Sequence, residues 1–274
     1  MGRVFLSGGK VEMSDPCLPK KGTALNDCTW KQIAMVSSAG LANEYFKVGD
    51  TKTLKLNGTV GVLTFSNLSV DATIIGINHN SAVEGDNRIH FQIGSISGTD
   101  IAFIDSYYDD VITDNTKAFC MNAGDNYGNA GGWERSDMRN IILSSFRQAL
   151  PSELVTNMKT VIKYTDNTGD GKGSSVSFVT PTTDYMWLLS PVELLGSTSG
   201  GNTYEANYQK QYDYYLSGNS TRRCRHNDTS TSCRWWTRSP NSTSDEHYKI
   251  VTPNNTFSDE VCYASYAVSP AFCV

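Results

Sequence analysis

The spacing of apolar residues along the chain predicts two main helices. The first begins near Thr29 and stops at Gly40, a residue type that is common where helices end. The second begins at Ser136, a preferred N-cap residue, and ends at Pro151 because proline cannot continue a helix. The predicted buried faces are Trp30, Ile33, Ala34 and Ser37 in the first helix and Met138, Ile141, Ile142, Phe146 and Leu150 in the second.

Alternating and β-branched segments predict strands on either side of the second helix. Residues 47–96 predict three or four strands in succession, and Asn57-Gly58 is a strong hairpin-turn signal near the end of the first. Further strands are predicted at residues 161–165 and 175–180. Antiparallel strands at both ends with helices between them indicate an α+β fold, since a parallel sheet would need a regular alternation of strands and helices.

The C-terminal part of the sequence has a different composition. Between residues 217 and 247, 15 of 31 residues are Ser, Thr or Asn, and none is Ile, Leu, Val, Met or Phe. Such a segment cannot form a core element of its own. Trp235 and Trp236 argue against disorder, because each packed indole ring buries on the order of 150–250 Å². We therefore predict a long irregular C-terminal region that is anchored by the two tryptophans and closed by a buried strand at residues 268–272.

The length and composition describe a globular protein with more acidic than basic residues. The chain has 274 residues, 39% of them hydrophobic, which is enough for a substantial core. We predict one domain over residues 29–274 after an irregular leader at residues 1–28. The net charge of -5 argues against nucleic acid as a partner. No apolar run approaches the ~18 residues of a membrane span, and the N-terminus lacks the apolar stretch of a signal peptide.

The cysteines favour free thiols. Seven of them are spread along the chain without a CxxC motif, and their number is odd. Two pairs are close enough in sequence to be proposed as disulfides, namely Cys17 with Cys28 and Cys224 with Cys233.

Two segments contain metal-ligand residue types in an unsuitable arrangement. Residues 166–177 resemble a calcium loop, but Ser177 stands where an EF-hand needs a bidentate Glu, so a turn stabilised by Asp and Gly is the better interpretation. The second set fits no compact zinc spacing and consists of Cys224, His226, Cys233 and His247. We expect no metal and no cofactor.

Several other positions invite a chemical interpretation. Glu193 is flanked by apolar residues, which is compatible with burial and a raised pKa, but it has no visible acid or base partner. We expect it to hold a loop through backbone amides. The Arg-rich stretch at residues 222–238 could bind phosphates, but nearby acidic residues dilute its charge, so Arg238 is expected to form a structural salt bridge or cation–π contact. We interpret His79 and His90 as structural.

Short motifs follow one another from about Thr29 to the end of the chain. They are Trp30 and Ile33 with Val48-Gly49-Asp50, IIGINHN (74–80), GGWERSDMR (131–139), MWLLSPVELLG (186–196), WWTRSP (235–240) and AVSPAF (267–272). In their order and spacing, these motifs resemble a family of bacterial and phage domains with a C-type-lectin-like fold. Some members of that family are the variable proteins of diversity-generating retroelements.

The resemblance implies where a ligand would bind. In that family the two ends of the chain meet in one sheet, and the region around the WW motif faces the ligand. Retroelement mutagenesis changes template adenines, so the implied variable region, about residues 217–274, would mix exchangeable and constant positions. The implied structural frame is Trp235, Trp236, Arg238, Ser239, Pro240, Pro270 and Phe272. The implied ligand-binding set is Arg225, His226, Asn227, Ser232, Arg234, Asn241, Ser244, Asp245, His247, Cys262 and Tyr266.

The sequence departs from the family's pattern at two places. Ser269 stands where the family more often has Arg before Pro-Ala-Phe, so the usual charge contact is expected to be absent. Cysteines at positions 224, 233, 262 and 273 are also unusual, and the first three can be interpreted as products of diversification and not of a disulfide plan.

The leading interpretation is a non-enzymatic ligand-binding or display protein with an unknown protein or glycan ligand. It would work on a virion or bacterial cell surface, for example as a phage receptor-binding protein. The first alternative is an oxidase of the formylglycine-generating type on the same fold, whose copper-dependent cysteine pair would be tested at Cys262 and Cys273. The second is a structural virion or cell-wall module whose C-terminal region packs in a homo-oligomer. The sequence leaves the oligomeric state open.

Overall fold

The computed structural model describes residues 18–112, 117–123 and 127–274. Most of the predicted leader, residues 1–17, and the predicted Cys17–Cys28 disulfide lie outside these ranges. The described end of the leader packs against the domain, because Leu25 and Cys28 are buried and Lys52 Nζ donates a hydrogen bond to Cys28 O at 2.5 Å. Residues 18–28 are therefore part of the folded domain.

Both predicted main helices are present. Thr29 caps the first through a capping box with Gln32. At the start of the second, Ser136 Oγ accepts a hydrogen bond from Arg139 N at 3.2 Å, and the helix opens with a π-helical segment, Met138–Ile142. The α-helices are α1 (Trp30–Ser38), α2 (Ala42–Tyr45), α3 (Ser81–Glu84), α4 (Gly132–Arg135), α5 (Leu143–Ala149), α6 (Ser152–Asn157), α7 (Pro191–Leu195) and α8 (Asp213–Leu216). Short 3₁₀ helices cover Leu25–Asp27, Val176–Phe178 and Thr203–Asn207.

The strands form mostly antiparallel sheets. They are β1 (Thr51–Val60), β2 (Leu63–Ile77), β3 (Ile89–Ile96), β4 (Thr99–Ala102), β5 (Val161–Asp166), β6 (Val179–Asp184), β7 (Met186–Trp187), β8 (Arg223–Arg225), β9 (Asp228–Cys233), β10 (Trp235–Pro240), β11 (His247–Val251), β12 (Phe257–Val261) and β13 (Ala271–Cys273). The main sheet has the order β1-β2-β3-β4-β8-β9, with β13 pairing both β3 and β7. Within it, β4 and β8 run parallel. Strands β10–β12 form a second sheet and β5–β6 a third, so the predicted α+β class is confirmed.

The beginning and the end of the described domain meet in the core. The ring of Trp30 on α1 lies 5.5 Å from that of Phe91 on β3 and 5.7 Å from that of Phe272 on β13. The Ser37 hydroxyl at the end of α1 donates to Val274 O at 2.7 Å. Strand β13 thus lies inside the main sheet, between β3 and β7, which explains why Ala271 and Phe272 are apolar and fully buried.

The C-terminal region is more regular than we predicted. The polar segment forms a β8–β9 hairpin at the edge of the main sheet, and β10 is buried along its whole length. The polar side chains of β9 face solvent at the sheet edge, while the buried polar groups of β10 are hydrogen-bonded. The composition therefore indicated the exposure of β9 correctly but did not reveal that it is a strand. Backbone hydrogen bonds between strands form whether the side chains are polar or apolar.

The first hairpin turn, Gly61-Val62, lies four residues after the predicted turn at Asn57-Gly58. Val60 pairs with Leu63, which places Gly61 at the turn, and Gly58 instead marks a β-bulge. Gly61 has φ +58°, and a Cβ there would lie 1.9 Å from Lys117 O. Close packing against the backbone of Lys117 therefore favours a glycine at this turn, and no local signal reports that contact.

Two smaller expectations fail. Cys224 and Cys233 are free thiols, because the hairpin register pairs Cys224 with Ser232 and Arg223 with Cys233. Ile141, predicted to be buried, is 36% exposed on the second helix. In the part of the chain that the structure describes, no helix has the length and apolar composition to cross a membrane.

Candidate functional site

Trp235 and Trp236 are fully buried in β10. The indole Nε1 of Trp235 donates to Thr221 O at 3.1 Å, and that of Trp236 donates to Phe119 O at 2.8 Å. Each bond satisfies a buried donor and links β10 to a different segment of the domain. The two rings therefore hold the C-terminal region on the domain.

Arg238 continues this anchor with a buried ion pair. Its guanidinium binds both carboxylate oxygens of Glu193 on α7, with Nη2 to Oε1 at 3.1 Å, and also donates to Thr165 Oγ1 and Leu188 O, each at 2.9 Å. Burial alone would raise the pKa of the Glu193 carboxyl, but Arg238 and Lys163 outweigh it and lower the pKa to about 2. The pKa of Glu193 is thus lowered, whereas the sequence was compatible with a raised one. Glu193 does hold the backbone amide of Ser190.

Lys163 extends the pair into a sealed cluster. Its Nζ lies 2.7 Å from Glu84 Oε2, 2.8 Å from Glu193 Oε1 and 3.0 Å from the Tyr212 hydroxyl. His79 and His90 lie 3.9 and 3.6 Å from Glu84, and burial lowers the pKa of His79 to about 3. These side chains are at most 6% exposed, so the cluster is buried inside the domain.

The other frame positions are buried as well. They are Ser239, Pro240, Pro270 and Phe272. The Ser239 hydroxyl donates to Glu205 Oε2 at 2.6 Å, and Asp166 N donates to Glu205 Oε1 at 2.9 Å. Among the described residues no cation forms an ion pair with this carboxyl, and burial raises the pKa of Glu205 to about 7.

We expect Glu205→Gln to make the protein more stable in mild alkali. The pKa of the Glu205 carboxyl is higher in the folded protein than in the unfolded chain. Its contribution to stability is therefore fully present below the pKa of the unfolded chain and is lost as pH rises through about 7. Glutamine keeps the shape without the charge. The variant should exceed the wild type in unfolding free energy by about 2–3 kcal/mol at about pH 8 and by less than about 1 kcal/mol at about pH 5. Urea unfolding at both pH values measures this.

Glu134→Gln is the matched control for the Glu205 experiment, because the Glu134 side chain is exposed. It should change the unfolding free energy little at either pH. An equal pH response of the two variants would contradict the assignment to Glu205.

Part of the predicted ligand-binding set forms one surface around the β8–β9 hairpin. We call it the hairpin patch and define it as Tyr108, Asp109, Arg225, Asn227, Ser232 and Arg234. The Arg225 guanidinium stacks 4.6 Å from the centre of the Tyr108 ring, and the Tyr108 hydroxyl accepts a hydrogen bond from Arg234 N at 2.9 Å. Arg234 Nη1 lies 3.0 Å from Asp109 Oδ1, with both side chains about half exposed. The patch is thus an accessible mixture of aromatic, cationic and anionic groups.

The remaining polar members form a second surface. We call it the loop patch, and it contains Asn241, Ser244, Asp245 and His247. His247 Nδ1 lies 3.2 Å from Asp259 Oδ2, whereas Arg234 Nε lies 3.8 Å from Glu260 Oε1. Successive residues of β12 point to opposite faces. Arg234 of the hairpin patch and His247 of the loop patch therefore reach β12 from opposite faces.

Three members of the predicted set are placed where a ligand has little or no access to them. Cys262 is fully buried, and Tyr266 is 5% exposed against Trp236. The ring of His226 packs 5.6 Å from that of Phe103, and its Nδ1 lies 3.2 Å from Ile104 N. Cys262 and Tyr266 are corrections to the predicted binding set, and His226 serves mainly to join β8 to β4.

A known protein family matches the larger part of this chain. The family described as a domain of unknown function, DUF6273, matches residues 109–274, which is more than half of the sequence. The chain belongs to the DUF6273 family. No curated protein and no solved structure matches it.

The DUF6273 region contains most of the hairpin patch and all of the frame. Tyr108 lies just before its start, and Asp109 is its first residue. Neither residue was predicted from the sequence, because each reaches Arg225 or Arg234 only through the folding of residues more than a hundred positions apart. The aromatic and acidic run at residues 107–110 was the available signal.

Ser269, the departure before Pro-Ala-Phe, lies within a buried polar cluster of this region. Its hydroxyl accepts a hydrogen bond from Gln92 Nε2 at 3.0 Å, while Gln92 Oε1 accepts one from Arg223 Nη2 at 2.9 Å. The positive charge of Arg223 on β8 is thus separated from Ser269 by one side chain, that of Gln92. Residue 269 itself carries no charge.

The cysteines considered for an oxidase are separated. Cys262 Sγ donates to Tyr127 O at 2.8 Å, and Cys273 Sγ donates to Lys159 O at 3.2 Å. Burial raises the pKa of each thiol to about 12. The structure therefore does not bring these two cysteines together as a pair, and both are poor nucleophiles.

The segment that resembles a calcium loop is a turn. Asp166 Oδ1 accepts hydrogen bonds from Thr168 N and Gly169 N, both at 2.9 Å, and Oδ2 accepts one from Asn202 Nδ2 at 2.9 Å. Both oxygens of this carboxylate therefore already accept hydrogen bonds from the protein. Across residues 18–112, 117–123 and 127–274, no three His, Cys, Asp or Glu side chains are grouped as metal ligands.

Proposed function

We propose that this protein is a non-enzymatic ligand-binding protein of C-type-lectin-like fold whose hairpin patch faces the ligand. The single observation that carries the proposal is the division within residues 222–240. Trp235, Trp236 and Arg238 are fully buried, while neighbouring side chains of the hairpin are at the surface. Such an arrangement lets surface residues change while the anchor stays constant.

The topology supports the C-type-lectin-like fold. Strand β13 lies between β3 and β7, next to α1, so the two ends of the described domain share one core. The β8–β9 hairpin lies at one edge of the main sheet. This placement suits a fold in which the sheet supports long recognition segments.

The chemistry of the patch favours a protein or glycan ligand. Tyr, Ser, Asn and Arg are the residue types that adaptable recognition surfaces use. Arg225 is stacked on Tyr108 and forms no ion pair among the described residues. Its Nε is closed off from solvent, so the terminal Nη groups are the ones that can meet a polar group of the ligand. Aromatic faces such as that of Tyr108 also pack against sugar rings and apolar protein side chains.

We further propose that the exposed positions are diversified by a retroelement, in a protein of a virion or bacterial cell surface. Sequencing the gene and its surroundings in closely related strains tests this. Adenine-specific changes at the codons of Asn227, Ser232 and Arg234, with constant Trp235 and Trp236 codons and a template repeat beside a reverse transcriptase gene, would support it. Identical codons throughout the 3′ end in all strains would reject diversification but not ligand binding.

A direct binding experiment tests the hairpin patch. The labelled protein is applied to a glycan array and to a panel of intact bacterial cells. The double variant Arg225→Ala/Arg234→Ala should lose roughly tenfold or more in apparent affinity for whatever the wild type binds, because central Arg residues dominate such interfaces. Its unfolding free energy should fall by no more than about 1 kcal/mol, since these side chains are partly exposed.

The control double variant is Lys55→Ala/Arg135→Ala, which removes two exposed cations elsewhere. It should bind like the wild type. Equal loss in both double variants would show a general charge effect, and unchanged binding by the Arg225/Arg234 variant would reject the patch as the recognition surface.

A further inference from the structure

A cleft between α5 and the end of β6 stands apart from the hairpin patch. It has a volume of about 200 Å³ and is lined by Asn140, Ser144, Arg147, Tyr185 and neighbouring residues. Ser144 and Arg147 also line a groove of about 380 Å³ that continues along α5 and α6. The cleft and the groove therefore form one depression with Arg147 at their junction.

Arg147 is held in place without an anionic partner. Its guanidinium carbon lies 3.9 Å from the centre of the Tyr185 ring, a stacking distance. Its Nε is closed off from solvent and has no hydrogen-bond partner among the described residues. The ring of Tyr185, itself 41% exposed, therefore orients a cation whose charge no carboxylate of the described chain neutralises.

The second cation of the cleft is already neutralised. Arg139 Nε lies 2.6 Å from Asp184 Oδ1, and Arg139 Nη2 donates to Thr183 O at 3.3 Å. Asp184 is the acidic residue that lines the depression, and it is 4% exposed. The depression thus has a net positive charge in a chain whose formal net charge is -5. An anion is the ligand type that fits this balance.

The walls beside Arg147 suit a ligand with two different ends. Ser144 precedes Arg147 by three residues on α5, so both face the same side of the helix and can donate to one anionic group. Farther along the groove, Leu150 and Val155 provide apolar surface. Gln148 and Thr156 line the same groove with exposed polar side chains.

We propose that this depression binds a small carboxylic acid, with its carboxylate on Arg147 and Ser144 and its apolar chain along Leu150 and Val155. The planar carboxylate matches the planar guanidinium, and Tyr185 acts as the platform that keeps the guanidinium in position. A ligand of this size should bind in the millimolar range. The site uses no residue of the hairpin patch, so it would be a second binding site, independent of the proposed recognition surface.

Hexanoate, acetate, hexanol and inorganic phosphate are the probes for this site. Each is titrated into the whole protein while backbone amide chemical shifts are followed by NMR. We expect hexanoate to shift amides of α5 and of residues 184–186 saturably and to bind several-fold tighter than acetate. Hexanol, which lacks the charge, and phosphate, which lacks the chain, should bind more weakly than hexanoate.

Three variants test the assigned roles. Arg147→Gln should weaken hexanoate binding roughly tenfold or more, because a hydrogen bond to a charged group is lost. Tyr185→Leu should weaken it by a smaller factor, because the guanidinium is no longer held. Arg135→Gln removes an exposed cation that does not line the depression and should leave binding unchanged.

Two results would overturn the proposal. The first is the absence of saturable shifts with hexanoate, or shifts that persist unchanged in Arg147→Gln. The second is phosphate binding as tight as hexanoate binding, which would show a simple anion site without a role for the groove.

Discussion

Trp236→Ala is expected to lower the free energy of unfolding by about 3–5 kcal/mol. The side chain is fully buried, its Nε1 donates to Phe119 O at 2.8 Å, and its ring meets Tyr266 edge-on at 5.3 Å. Alanine would leave a cavity and would remove one of the two donors to Phe119 O, the other being Tyr266 N at 3.3 Å. Urea unfolding followed by circular dichroism measures the loss.

Two comparisons make the Trp236 result specific. Trp236→Phe keeps most of the ring volume and should cost less than the alanine variant, whereas Tyr204→Ala removes a ring that is 40% exposed and should cost no more than about 1 kcal/mol. Amide hydrogen exchange in β10–β12 should accelerate in Trp236→Ala, because β10 loses its link to Phe119. Equal stability of Trp236→Ala and Tyr204→Ala would refute the anchoring role.

Arg238→Met should be similarly damaging, by about 3–5 kcal/mol at about pH 7. The variant leaves the Glu193 carboxylate buried with Lys163 as its remaining cation. Because Arg238 and Lys163 lower the pKa of Glu193 to about 2, the stabilisation is present above the unfolded pKa and is lost as pH falls toward 2. The difference between the variant and the wild type should therefore narrow at about pH 3.

Arg222→Met is the matched control for Arg238, because Arg222 is an exposed arginine of the same C-terminal region with a hydrogen bond to Ser232 Oγ at 2.6 Å. It should cost no more than about 1 kcal/mol. If the two arginine variants have the same unfolding midpoint, or if the Arg238 effect does not depend on pH, the buried pair is not a major source of stability.

The anchor and the surface of the C-terminal region differ in how far they could be predicted. The burial of Trp235 and Trp236 followed from their size alone, since two indole rings have too much apolar surface to remain in solvent. The ion pair of Arg238 was expected in kind, but Glu193 could not be identified as its partner, because 45 positions separate them. No local pattern reports a contact across that separation.

The surface positions were harder to predict. Polar residues such as Arg234 and His247 look equivalent in the sequence, yet the pleat of β12 places their partners on opposite faces. Cys262 and Tyr266 resemble exchangeable surface residues by type, but they pack beneath the C-terminal sheet. Side-chain chemistry alone cannot distinguish a small polar or aromatic group at the surface from one in the core.

Local interactions in the sequence determined the two main helices and their caps, the polar exposure of the β8–β9 segment and the α+β class. Helical period and capping depend on residues only three or four positions apart, so both can be recognised in the sequence. The tertiary structure decided the hairpin turn at Gly61, the partner of Arg238, the opposite faces from which the two patches reach β12 and the cleft at Arg147. Each of these depends on packing or charge contacts between distant segments, whose geometry exists only once the sheets have assembled.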